Sequence, residues 1–89
     1  MNNFKTWFNT FVSEKQINTQ HTFEIEQPGS IFGNHFVPFS VVREFLFDSI
    51  GAVEQAQVET QLVQIDFHNG DVMHFFNFIA EGLVNGFQS

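Results

Sequence analysis

Two carboxylates and two imidazoles crowd one short stretch of this chain: Asp66, His68, Asp71 and His74. Imidazole nitrogen and carboxylate oxygen are the ligands that Zn²⁺ and similar divalent ions accept, so four such groups brought together would make a metal site. The spacing permits it. Asp66 and His68 would share one face of a strand, Asp71 and His74 lie about one helical turn apart, and Asn69-Gly70 between them could fold one pair onto the other. Each residue also has an ordinary role. Asp71 can cap a helix, Asp66 and His68 can face solvent from a strand, and His74 can border the core. The sequence therefore offers these four as metal candidates and assigns no cofactor.

Other chemistry has less to stand on. Ser13, Ser30, Ser40 and Ser49 sit in no nucleophile-elbow pattern, and no Gly-rich phosphate loop is present. Glu24 and Glu26 could serve as an acid–base pair, yet on a wet strand face they read as solvated charges. The expectation is a protein that is not an enzyme.

The elements that would position these residues follow from periodicity. Val63, Ile65 and Phe67 alternate with Gln64, Asp66 and His68, which predicts a buried central strand ending at Asn69-Gly70. Beyond it, Val72, Phe75, Phe76, Ile79 and Leu83 recur at helical spacing behind Asp71 as N-cap. Asn-Gly between apolar runs is also a hairpin signal, so residues 71–78 could instead return as a strand. The helix is the reading taken here.

Upstream, Phe4, Trp7, Phe8, Phe11 and Val12 form one stripe on a helix from about Asn3 to Lys15. Phe23 and Ile25 alternate with Glu24 and Glu26 in a strand, Pro28-Gly29-Ser30 breaks it, and His35 to Pro38 returns antiparallel. Ser40 is the expected N-cap of a helix over 41–50 with Gly51 as its stop, and 52–60 reads as a short, solvated helix. The final helix ends near Asn85-Gly86. The fold class is α+β: a small, mostly antiparallel three-stranded sheet packed with about four helices, in the order helix, strand, strand, helix, helix, strand, helix.

Composition bounds the rest. Eighty-nine residues make a single domain, 1–89, and 14 Phe with no Tyr point first to a core that needs no hydroxyl partners. Lys5, Lys15 and Arg43 stand against ten acidic residues, a formal charge of −7. Three cations make no basic patch, which argues against direct nucleic-acid binding and against docking on anionic lipid. No run reaches the ~20 apolar residues of a membrane span. No secretory signal is evident and cysteine is absent, so the expected compartment is the cytoplasm.

Some hydrophobic residues exceed what these elements can bury. Phe47, Met73 and Phe78 fall outside the inner stripes of their helices, Ile31 and Phe32 fall in the hairpin loop, and Phe87 lies past the last helix. A surplus of this kind marks an interface with another protein, or with a second copy as a homodimer. Ile31, Phe32, Phe47, Phe78 and Phe87 are the expected apolar contacts, with Glu24, Glu26 and Asp66 complementing a basic partner. The acid has a second possible use. Glu24, Glu26, Glu44, Asp48, Glu54, Glu59 and Asp66 along one side would mimic a phosphate array and block a nucleic-acid-binding protein.

The segment from Leu62 to Phe75, with the Phe4-Trp7-Phe8 start, is similar to small uncharacterised proteins of Gram-positive bacteria, their phages and mobile elements. The resemblance covers about a third of the chain and carries no active-site motif. It implies an accessory protein, with inhibition of a host nucleic-acid-handling enzyme or defence system as the alternative.

Overall fold

Asn3 starts the first helix: its side-chain oxygen accepts the Thr6 N–H at 3.2 Å, satisfying one of the donors that a helix start leaves free. The computed structural model describes residues 3–27 and 33–87. Helix α1 (Phe4–Glu14) buries Phe4, Phe8, Phe11 and Val12, the stripe expected from spacing, with Trp7 half-buried beside them. It ends where Gln16 turns left-handed at φ 55°. The Gln16 N–H then donates to the Ser13 carbonyl and the Ile17 N–H to the Val12 carbonyl at 3.1 Å. These two reversed bonds are a Schellman stop, and Ile17 packs back against the core.

Strands β1 (Thr22–Ile25) and β2 (His35–Pro38) pair antiparallel, with Phe23 opposite Val37 and Glu24 opposite Phe36. Phe23, Ile25 and Val37 point inward. Helix α2 (Phe39–Asp48) follows without a loop. It starts before the residue that the sequence nominated, because extended Pro38 and not Ser40 is the N-cap, and the gain is complete burial of Phe39.

The main correction concerns what comes next. Helix α3 (Ala52–Phe67) is one continuous 16-residue helix where a short helix and a central strand were expected. Val63, Ile65 and Phe67 alternate in sequence, but Val58, Leu62 and Ile65 recur at helical spacing, and of that second pattern Val58 and Leu62 are buried and Ile65 is half-buried. Leu62 has no exposed surface, whereas Val63 is 49% and Phe67 78% exposed. The Asn69-Gly70 pair stops a helix here and does not turn a hairpin. Asn69 lies at φ 59°, its N–H donates to the Asp66 carbonyl, and the Gly70 N–H donates to the Ile65 carbonyl at 2.8 Å, a second Schellman stop. A Cβ on Gly70 would stand 3.0 Å from Ile65 Cγ2 and 3.2 Å from its carbonyl oxygen, which is why the smallest residue fits.

Among the described residues the sheet thus has two strands, and the order is helix, strand, strand, helix, helix, helix. The α+β class and the four helices stand; the third strand does not. Helix α4 (Val72–Asn85) begins as the sequence indicated, with Asp71 accepting the Met73 N–H at 2.9 Å, so 71–78 is not a returning strand. Gly86 at φ 81° ends it.

The helices and the inner face of the hairpin meet around a ring cluster. Phe8 sits 5.9 Å from Phe76 and 6.3 Å from Phe39, and Phe39 sits 5.1 Å from Phe76 with its ring edge-on. Phe supplies this burial with no polar atom to satisfy, and among the described residues no polar side chain is buried. No helix among them is long and apolar enough to cross a membrane.

Candidate functional site

The four metal candidates are carried by the end of α3, its stop and the start of α4, and each is engaged locally. Asp66 projects sideways from α3, where Lys15 Nζ holds it at 2.8 Å. The Asp66 hydrogen bond, and then its charge, raise the Lys15 pKa above the ordinary lysine value. His68 is the α3 C-cap and presents its ring edge-on to Phe67. Asp71 caps α4, and His74, almost fully exposed, stands with Nε2 3.8 Å from the Asp71 carboxylate. Because α3 is a helix, Asp66 and His68 do not share a face. Among the described residues no three His, Asp or Glu side chains converge as a metal-ion cage would need.

The expected partner contacts divide into three groups. Ile31 and Phe32 lie outside the described residues. Phe47 and Phe87 are engaged within the chain, although Phe87 keeps half of its surface exposed. Phe47 packs edge-on against Phe4 at 6.0 Å and Phe8 at 5.4 Å, with Lys5 above its ring. Phe87 stacks on Phe45 at 5.3 Å and lies so close over Gly82 that a Cβ there would overlap the ring. The remaining residues face outward. Phe78 is exposed on α4. Glu24 and Glu26 occupy the outer face of the hairpin, where Glu24 accepts from Asn34 and stands opposite exposed Phe36. Asp66 is matched to Lys15 and offers a basic partner little free charge.

A further surface feature follows from the continuity of α3. With α3 continuous, Val53, Ala56, Thr60, Val63 and Phe67 recur in steps of three and four and so form one stripe down its outward side. All five are exposed, Val53 at 68% and Phe67 at 78%. Gln57, Gln61 and Gln64 border the stripe on one side without charge, while Glu59 and Asp66 border it on the other. A shallow depression of about 760 Å³ spans Ala52, Val53, Ala56, Gln57, Thr60 and Gln61. Past Val63 a second groove runs to Trp7, Thr10 and buried Phe11 on α1, and Glu14, Lys15 and Asp66 line it as well. Spacing in the sequence held this signal, but only for a reader who did not break the helix at residue 60.

What the stripe offers is uncharged, largely apolar area that water covers at a cost. No family model, no curated protein and no solved structure matches this chain.

Proposed function

We propose that this chain is a small acidic interaction module that works by protein–protein contact through the outward face of α3, without catalysis. The carrying observation is the stripe from Val53 to Phe67: exposed, apolar or neutral along its length, on a molecule whose formal charge is −7. Single exposed apolar residues are ordinary on any surface, whereas a contiguous row on one rigid helix is the geometry by which helices dock. Trp7 and Phe67 supply the aromatic character that interface centres favour.

A second reading draws on the outer face of the hairpin. Lys5 pairs with Asp48, Lys15 with Asp66, and Arg43 leans over Phe39, which leaves Glu24 and Glu26 away from all three cations. A basic, nucleic-acid-binding partner would meet its charge there.

Affinity capture from extract of the source cell separates the two readings. The expected result is a discrete partner, which a second copy of this chain also satisfies, retained by the unaltered protein in high salt and lost with Val53→Ser/Phe67→Ser. Retention that survives the double substitution but fades with salt and competes with DNA would transfer the function to Glu24 and Glu26. Capture of nothing by any form, with no self-association, would contradict both.

A further inference from the structure

The α3 face complements itself, and we infer that its occupant is a second copy of this chain, packed antiparallel about a two-fold axis. This deepens the protein-contact reading and rests on it.

The first argument is the distribution of size along the stripe. Ala56 makes a low point in the stripe after Val53, and Phe67 makes its end stand proud at 78% exposure. Two copies crossing antiparallel about an axis between Gln61 and Leu62 place Phe67 over Ala56 of the second copy and Thr60 against Val63 of the second copy, each contact occurring twice. Large meets small where Phe67 meets Ala56. A parallel pair would set Phe67 on Phe67 and leave Ala56 facing Ala56 across a gap, the kind of void that packed interfaces avoid. Antiparallel helix dipoles also oppose each other favourably.

The second argument is charge. Copies that each carry −7 repel, and they do so least where the facing residues are uncharged, as the five stripe residues are. Its borders conform. On one side Gln57 comes beside Gln64 of the second copy, two amides able to donate and accept in turn. On the other, Glu59 comes toward Asp66 of the second copy, and there Lys15 already stands at 2.8 Å from Asp66, a cation between two acids. A partner chosen for opposite charge would find nothing to read on this stripe.

The third argument sets the strength. A 16-residue helix is about 24 Å long, and a strip about 15 Å wide buries on the order of 400 Å² per copy, roughly half the ~800 Å² per partner of a standard interface. An interface of this size belongs to weak, reversible contacts, so that dimer forms or dissolves with the amount of protein present.

Sedimentation velocity on the intact chain over a micromolar-to-near-millimolar series tests this. The expected result is a monomer–dimer equilibrium whose dissociation constant rises at least tenfold in Phe67→Ser and in Ala56→Glu, with thermal melting of the diluted monomers unchanged. Register is read with thiols, since the chain has no cysteine of its own. Under mild oxidation a mixture of Thr60→Cys and Val63→Cys chains should give the mixed disulfide in preference to either homodisulfide. A wild-type protein that stays monomeric throughout overturns the inference. So does a dimer indifferent to both substitutions at the stripe, or a preference for homodisulfides. Should wild type stay monomeric while Val53→Ser/Phe67→Ser still abolishes capture of a different protein, only the self-pairing fails and the interaction reading survives.

Discussion

Phe8→Ala is expected to leave the chain largely unfolded at ambient temperature. Phe8 has no exposed surface and lies within 6.3 Å, ring to ring, of Phe4, Phe39, Phe47 and Phe76, so α1, α2 and α4 all converge on it. Truncating a buried Phe to Ala costs about 3–5 kcal/mol from lost transfer energy and the cavity left behind. That cost already includes the contacts the Phe8 ring makes with its aromatic neighbours. A domain of 89 residues has a total stability of about 4–13 kcal/mol. The loss is thus comparable to the whole. Far-UV circular dichroism with urea titration measures it, and a loss below about 1 kcal/mol would mean that the ring cluster does not hold the helices together.

The second large effect is a contrast within α3. Leu62→Ala should cost about 2–4 kcal/mol, and Phe67→Ser less than about 0.5 kcal/mol, because Leu62 is wholly buried and Phe67 is mostly in water. The contrast is sharp because a strand over 62–68 would reverse it: Val63, Ile65 and Phe67 would be inward and Leu62 outward. Equilibrium unfolding of the two variants side by side, in dilute solution, distinguishes the geometries. Equal losses, or the larger loss at Phe67, would contradict a continuous α3.

That contrast also shows where the sequence was readable. Helix α1 was legible because Phe4, Phe8, Phe11 and Val12 fit one period and no other. The hairpin was legible because Phe23 and Ile25 alternate with glutamates and Pro38 closes the pairing. Asp71 announced α4 through its capping chemistry. Over 58–67 two periods coexist: Val63, Ile65 and Phe67 alternate, while Val58, Leu62 and Ile65 recur helically. Local pattern cannot choose between them, since what decides is which set finds a core to enter, and that depends on α1 and α4. Asn69-Gly70 compounded the ambiguity, because left-handed backbone serves a hairpin and a helix stop equally well. The error passed directly to the site. Asp66 and His68 seemed to share a face, Phe67 seemed buried, and the stripe from Val53 to Phe67 was divided between two elements. Phe47 was misplaced for a different reason. It stands at the edge of the α2 stripe by spacing, and only the approach of α1 makes that edge interior.

The most direct test of the central claim is a two-dimensional amide NMR spectrum of the isotopically labelled chain, recorded dilute, concentrated, and in extract of its source cell. If α3 is the contact surface, broadening and shifts on concentration or in extract will concentrate at Val53, Ala56, Thr60, Val63 and Phe67 and reach Trp7, while Glu24, Glu26 and Phe78 keep their dilute positions. Changes confined to the hairpin, or a spectrum unaltered under all three conditions, would contradict it.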